Sequence, residues 1–266
     1  MVESLKELNR ICQKPDYKTK GNWMVRHLVR DLALPVTWLL LHTSFSANGV
    51  TLLGMVVILF SAIFFVFPLA PTFLIGALLF QFWYLLDHVD GQIARYRKTS
   101  SLTGVYFDYL SHYFTNSVIF FGLGLHAYFV THQFVMLLLA FIGSFSYALL
   151  QSFFDCKYRA YHAGFSAWRG KTIQLAEEKP VSVHEKPHAG LRSFFSLLYK
   201  LCEIHVFMNL VSLAAVFNLK IKTLSLAIFI FYALLLPFVA ALRIFYTVKT
   251  KAIDTSFQKE FQVRES

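Results

Sequence analysis

The chain alternates between long apolar runs and short polar segments. A helix needs about 20 apolar residues to cross a bilayer core of about 30 Å. Runs of roughly that length lie at 49–68, 70–88, 105–126, 133–154, 203–219 and 223–247. We therefore predict six transmembrane helices, with both termini on the same side of the membrane. The third and fifth runs are the least apolar, since they contain Asp108 with His112 and Glu203 with His205.

Two further segments carry mixed patterns. Residues 22–45 combine charged and apolar side chains, which predicts an amphipathic helix in the cytoplasmic interface, broken at Pro35 because proline removes a backbone donor. A seventh span through 33–45 is the rival interpretation, but this stretch is too short to cross. The polar segment 155–200 predicts a loop with one short helix at 191–200.

Composition and charge support a membrane protein and orient it. The 266 residues are 56% hydrophobic and only 15% charged, whereas soluble domains are about 25% charged. All but Lys220 and Lys222 of the 25 Lys and Arg residues lie in segments that would share one side, or, for Arg243, near the end of a span on that side. The positive-inside rule makes that side cytoplasmic. The net charge of +10 then faces anionic lipid headgroups, and nucleic acid is not an expected partner.

These features define an all-α integral membrane protein with cytoplasmic N- and C-termini. Residues 1–48 form a cytoplasmic segment with the interfacial helix. Residues 49–247 form a six-helix transmembrane domain that contains a cytoplasmic loop at about 155–202. Residues 248–266 form a cytoplasmic tail. The three cysteines are too few for a disulfide framework.

Candidate chemistry is concentrated between Leu86 and His112. One face of the second span carries residues at i, i+3, i+4 and i+7, namely Asp87, Asp90, Gly91 and Ala94. The next helix carries residues spaced by four on one face, namely Gly104, Asp108 and His112. Two antiparallel helices with a short loop would aim three carboxylates and one imidazole into a single cavity. The predicted loop between them carries Arg95, Arg97 and Lys98.

Such a cluster is costly without a ligand. A carboxylate within a membrane helix costs about 2.5–3.5 kcal/mol, and neighbouring carboxylates repel one another. A divalent cation offsets both effects, and oxygen ligands suit Mg²⁺, Mn²⁺ or Ca²⁺. A phosphorylated substrate could complete the coordination, with Arg95 binding phosphate oxygens. The alternative is that the polar residues only join the helices and the small residues only allow close packing.

The pattern Asp87-x₂-Asp90-Gly91-x₂-Ala94-Arg95-x₈-Gly104-x₃-Asp108-x₃-His112 resembles the signature of the CDP-alcohol phosphotransferases, the CDP-alcohol phosphatidyltransferase family. The last position is usually Asp in that family. Asn48 and Thr51 at the start of the first span extend the resemblance. It implies six transmembrane helices around a polar cavity open to the cytoplasm, usually in a homodimer. It also implies two divalent ions, Mg²⁺ or Mn²⁺, a CDP-linked donor, an alcohol acceptor and release of CMP.

The resemblance also implies residue roles. Asp87, Asp90 and Asp108 would bind metal. The substrate-binding residues would be Gly91, Ala94, Arg95, Gly104, Asn48 and Thr51. His112 stands at the position of a metal ligand and catalytic base, and imidazole can serve as either. The competing interpretations of His112 are a pseudoenzyme or a packed histidine.

Two functional hypotheses follow. The first is an integral-membrane CDP-alcohol phosphotransferase of phospholipid or related phosphodiester synthesis, with CDP-diacylglycerol favoured over a CDP-linked head group as donor. The second is a transporter or channel whose intramembrane acids bind an ion. Acids clustered at one rim favour the enzyme, because transporters usually bind near the midplane. Arg243, near the end of the last span, either snorkels to the interface or lines the cavity.

Overall fold

The computed structural model describes residues 3–13, 19, 21–167, 173–175, 197–217 and 223–263. Its helices are α1 (Leu5–Cys12), α2 (Arg30–Leu41), α3 (Ala47–Val66), α4 (Ala70–Tyr96), α5 (Leu102–Thr131), α6 (Val135–Ala167), α7 (described over 197–201), α8 (Ile204–Phe217), α9 (Leu224–Lys249) and α10 (Ala252–Glu260). Two short strands, β1 (Ile173–Leu175) and β2 (Phe261–Val263), pair antiparallel. The predicted all-helical architecture is confirmed, since every longer described element is a helix and each strand has only three residues.

Five helices of the described region are long and apolar enough to cross a membrane: α3, α4, α5, α6 and α9. They confirm five of the predicted spans and make the chain an integral membrane protein by length and composition. The predicted span at 203–219 corresponds to α8, whose 14 residues are fewer than a perpendicular crossing needs. Lys220 and Lys222 lie outside the described residues, and the sixth span stays a prediction.

Two helices run further than the apolar pattern predicted. Helix α4 continues to Tyr96 and α6 continues to Ala167, because no proline follows either apolar run before the helix ends. The prediction of a loop at 155–202 is therefore wrong for residues 155–167, which are helical. The sequence predicted a short helix at 191–200. Residues 197–201 are helical, and residues 191–196 lie outside the described residues.

The amphipathic segment is helical, but the predicted break at Pro35 is wrong. A π-helical turn at Val25–Val29 leads directly into α2, and Pro35 lies inside that helix. Proline costs a backbone hydrogen bond. That cost is offset because the buried face of α2, with Ala33 and Leu34, packs in one apolar cluster with residues of α4. The Thr37 hydroxyl also donates a 2.6 Å hydrogen bond to Gln92 Oε1 on α4.

The remaining helices form a bundle around α3, α4 and α5. Helix α3 packs against α4 and α5, α5 packs against α6, α6 packs against α9, and α4 packs against α8. Aromatic side chains fill the core, including the fully buried Phe80, Phe120, Phe207 and Phe229. The core therefore holds α4 and α5 side by side, and these two helices carry the candidate chemistry.

Gly124 lies where α5 packs closely against α6. A Cβ atom on Gly124 would lie 2.1 Å from Ala140 Cβ and 3.2 Å from Ala140 Cα, so the backbones must separate to accept it. We expect Gly124→Ala to destabilise the protein by about 1–3 kcal/mol, measured as a lower thermal midpoint in detergent. Gly49→Ala is the matched control, since its added Cβ would lie 3.3 Å from the Ser46 hydroxyl and 3.5 Å from a Phe45 ring carbon, and no backbone atom blocks it. Equal midpoints for the two variants would contradict this packing.

Candidate active site

The end of α4 and the start of α5 hold the candidate residues. Helix α4 ends at Tyr96, after which Lys98 adopts a left-handed φ of 55°. Ser101 caps α5, its side chain accepting a 3.1 Å hydrogen bond from the Gly104 amide. The Arg97 guanidinium donates to the carbonyls of Phe45, at 2.5 Å, and Thr43, at 2.9 Å. The α4–α5 loop is therefore tied to the loop before α3.

Three of the predicted side chains form one cluster. His112 Nε2 lies 3.2 Å from Asp87 Oδ1 and 3.5 Å from Asp108 Oδ1. One ligand atom from each of these residues lies within 4.8 Å of the others. The side chains of Asp87, Asp108 and His112 are 16%, 44% and 27% exposed, respectively. The cluster is thus accessible to solutes, and two oxygens and one nitrogen could hold a divalent ion.

Asp90 lies outside this group of three and is held differently. It is buried, with 8% exposure, and Asp90 Oδ2 accepts a 2.6 Å hydrogen bond from the Thr51 hydroxyl on α3. Thr51 thereby fixes the carboxylate that the sequence assigned to a metal. Asp90 and Asp108 both face a second feature of the site, a cavity between α3, α4 and α5.

This cavity, which we call the motif cavity, has a volume of about 210 Å³. Its walls include every residue that the sequence assigned to substrate binding: Asn48, Thr51, Gly91, Ala94, Arg95 and Gly104. Gly104 on α5 carries no side chain at the point where it faces Asn48 on α3. A Cβ atom on Gly104 would lie 3.5 Å from Asn48 Oδ1. The structure therefore brings the predicted set together around one space.

Arg95 lies in the last turn of α4, where the sequence predicted a loop. Its Nε donates a hydrogen bond to the backbone carbonyl of Cys12 at the end of α1. A Cβ on Gly91 would lie 3.1 Å from Arg95 Nη1, so glycine leaves room for the guanidinium. Burial raises the pKa of the Cys12 thiol to about 11, which keeps it neutral near pH 7. Cys12 therefore contributes its carbonyl, not a thiolate.

A second cavity, which we call the His112 cavity, lies between α5, α6 and α7 and measures about 420 Å³. His112 is in its wall, as are Tyr109, Asn116, Gln151, Asp155, Tyr199 and Glu203. The sequence assigned a catalytic and metal-binding role to His112 and no role to the other residues of this wall. The available signal was helical spacing, because Tyr109, His112 and Asn116 share a face of α5. The Asp87–Asp108–His112 cluster thus borders both cavities, Asp108 in one wall and His112 in the other.

Five apolar helices and a cluster of two carboxylates and one imidazole between two cavities define an integral-membrane protein with a candidate metal-binding site. The sequence profile of the family described as CDP-alcohol phosphatidyltransferase matches residues 44–175, and the chain belongs to this family of transferases. The match covers α3 to β1 and so contains both the motif cavity and His112.

Solved structures share the fold. Phosphatidylinositol phosphate synthase (PgsA1) of Mycobacterium tuberculosis with CDP-DAG bound is 16% identical, with a TM-score of 0.53, over 82% of this chain and 92% of that one. The apo form of the same protein is 17% identical, with a TM-score of 0.51, over 80% of this chain and 94% of that one. No protein of curated function matches the chain in sequence.

Proposed function

We propose that the chain transfers a phosphatidyl group from CDP-diacylglycerol to the hydroxyl of an alcohol and releases CMP. The observation that carries this proposal is the position of Asp87, Asp108 and His112 at the border of two cavities. In an in-line displacement, the attacking and leaving oxygens lie on opposite sides of the phosphorus, so two cavities on either side of the reactive groups suit a phosphoryl transfer. The CDP-DAG bound to the M. tuberculosis synthase supports the choice of donor.

The donor would occupy the motif cavity. Arg95 is anchored by the Cys12 carbonyl and would donate charge-assisted hydrogen bonds to the pyrophosphate. Gly91, Ala94 and Gly104 would admit the nucleotide because they carry little or no side chain. Asn48 and Thr51, at the start of α3, supply polar groups on the opposite wall.

The carboxylates fit divalent ions. Asp87 and Asp108 would hold one ion, and Asp90, oriented by Thr51, would hold a second. Oxygen donors of this kind suit Mg²⁺ or Mn²⁺. When bound, the ions neutralise charge on the donor's phosphate oxygens.

His112 would act as the base. It lines the second cavity, so an acceptor bound there lies beside the imidazole. As the acceptor oxygen bonds to the distal phosphorus, its proton passes to His112 and the bond between that phosphorus and CMP breaks. The Asp87 carboxylate, 3.2 Å from His112 Nε2, would stabilise the imidazolium that forms.

Removal of divalent ions gives the first test of this arrangement. We expect treatment with EDTA to abolish CMP release, because Asp87, Asp90 and Asp108 would repel the donor's phosphates without a cation between them. Added Mg²⁺ or Mn²⁺ should restore the activity, measured as CMP by chromatography. Unchanged CMP release in excess chelator would contradict the metal assignment.

A donor panel tests the reaction itself. Purified protein is incubated with CDP-diacylglycerol and glycerol, or with CDP-ethanolamine and diacylglycerol, and the lipid products are identified by mass spectrometry. We expect a new phosphatidyl lipid with CDP-diacylglycerol only. If no donor releases CMP while vesicles that contain the protein show ion-dependent uptake, the transporter or channel hypothesis replaces this one.

The proposal includes a cytoplasmic active site and a homodimer. The distribution of Lys and Arg supports the orientation, and the resemblance to the family supports the dimer. Labelling of Cys156, an exposed residue of α6, by a membrane-impermeant thiol reagent tests the orientation. We expect labelling in inverted vesicles and protection in right-side-out vesicles, whereas the reverse pattern would contradict the proposed orientation.

A further inference from the structure

We propose that the His112 cavity selects an acceptor alcohol that bears no phosphate or other anionic group. This inference rests on the proposed function and specifies its acceptor class. It separates this chain from a transferase whose acceptor is a phosphorylated alcohol. The argument comes from the charge and the polar groups of the cavity walls.

The cavity walls carry two carboxylates beside His112. Asp155 on α6 and Glu203 before α8 both line the space. The Tyr113 hydroxyl donates a 2.6 Å hydrogen bond to Asp155 Oδ2, and Glu203 Oε2 lies 3.3 Å from His205 Nε2. These partners hold both carboxylates in place. An acceptor phosphate in this space would meet like charge at close range, which is unfavourable.

The uncharged part of the wall suits hydroxyl groups. Asn116 Nδ2 donates a 2.7 Å hydrogen bond to Gln151 Oε1, which joins two carboxamides in the wall. Asn116 Oδ1 is buried and accepts no hydrogen bond from any residue that the structure describes. The hydroxyls of Tyr109, Tyr158 and Tyr199 add groups that both donate and accept. The hydrogen-bonding groups of this wall suit a polyol, and its aromatic rings also suit an ammonium group.

The positively charged side chains that the structure describes lie outside the wall of the His112 cavity, since no Lys or Arg of the described ranges lines it. Arg243 lines a neighbouring groove of about 810 Å³, where its guanidinium lies 4.9 Å and 5.1 Å from the ring centroids of Phe153 and Phe154. It also donates a 2.5 Å hydrogen bond to the Tyr199 hydroxyl. Of the two roles that the sequence left open for Arg243, snorkelling stays a prediction. The structure places the guanidinium among aromatic rings in the wall of this neighbouring groove, which shares Tyr199 and Glu203 with the His112 cavity.

Matched acceptor pairs test the inference. The purified protein, with CDP-diacylglycerol and Mn²⁺ or Mg²⁺, is given glycerol or glycerol 3-phosphate, and inositol or inositol phosphate. Ethanolamine serves as a cationic arm. We expect kcat/KM to be at least about 10-fold higher for the unphosphorylated member of each pair, because like-charge contacts disfavour the other member. The ethanolamine arm distinguishes an amino alcohol from a polyol, and both belong to the proposed class.

Substitutions connect the selectivity to the cavity. Asp155→Asn keeps an oxygen that can accept from Tyr113, and Glu203→Gln keeps the shape of its side chain. We expect the double variant to lower the preference for unphosphorylated acceptors by about 5-fold or more, through a lower KM for the phosphorylated acceptor. Asp254→Asn, at an exposed position on α10, removes one carboxylate charge away from the cavity and should leave the preference within about 2-fold.

The outcomes separate this inference from the proposed function. CMP release that is faster with the phosphorylated acceptors, or a preference that the double variant leaves unchanged, overturns the inference and leaves the transferase intact. Absence of CMP release with every acceptor and donor overturns the proposed function and the inference with it. CMP release that is faster with the unphosphorylated acceptors supports both, provided that the double variant reduces this preference and Asp254→Asn does not.

Discussion

Asp108→Asn is expected to lower kcat by about 10³-fold while the protein stays folded. Asp108 lines the motif cavity, and its Oδ1 lies 3.5 Å from His112 Nε2. Asparagine removes the negative charge that would hold a divalent ion and keeps nearly the same shape. The side chain is 44% exposed, so its loss should cost little stability. Turnover should therefore fall far more than the thermal midpoint.

The measurement is CMP release under saturating donor and acceptor, with circular dichroism as a check on folding. Asp31→Asn is the matched control, since Asp31 is an exposed residue of α2 and lines neither cavity. We expect the control to keep wild-type turnover. An Asp108→Asn protein that turns over within about 10-fold of wild type would show that this carboxylate is not needed for the chemistry.

His112→Ala should lower kcat by about 10²–10⁴-fold, the usual contribution of a general base. The acceptor would lose its proton acceptor, whereas the motif cavity would remain unchanged. The KM for the donor should therefore change little. His112→Asp should retain more activity than His112→Ala, because a carboxylate at this position can also accept a proton and because the family usually has Asp here.

A metal titration of the same variants separates the two roles of His112. If His112 is the base, His112→Ala reaches its lower kcat at the wild-type concentration of Mn²⁺ or Mg²⁺. If it is a ligand, the concentration needed for half-maximal activity rises. Wild-type activity in His112→Ala would refute both roles and favour a histidine that only packs against Trp83, whose ring centroid is 5.9 Å away.

The motif cavity could be predicted because its residues are close in sequence. Asp90, Gly91 and Ala94 lie on one turn-to-turn stripe of α4, and Gly104 and Asp108 lie on one stripe of α5. Helical periodicity alone places each stripe on one face, and the short α4–α5 loop makes the helices neighbours. The place of Asn48 and Thr51 in the cavity wall was expected only from the resemblance to the family, and the Thr51 hydrogen bond to Asp90 was not predicted.

The His112 cavity could not be predicted in the same way. It joins His112 to Asp155 on α6 and to Tyr199 and Glu203 further along the chain, and no local spacing specifies which faces of distant helices meet. The Arg95 contact with the Cys12 carbonyl joins residues far apart in sequence and involves no side chain of the partner. Pro35 was misjudged because the burial of α2 against α4 outweighs a local breaker.

The stoichiometry of one reaction tests the central claim most directly. Purified protein is incubated with CDP-diacylglycerol, Mn²⁺ or Mg²⁺ and glycerol, and CMP and the phosphatidyl lipid are quantified in the same vessel. A transferase with donor and acceptor on either side of Asp87, Asp108 and His112 should form the two products in a one-to-one ratio, and Asp108→Asn should form neither. CMP without a matching phosphatidyl lipid, or equal products from Asp108→Asn, would contradict the account.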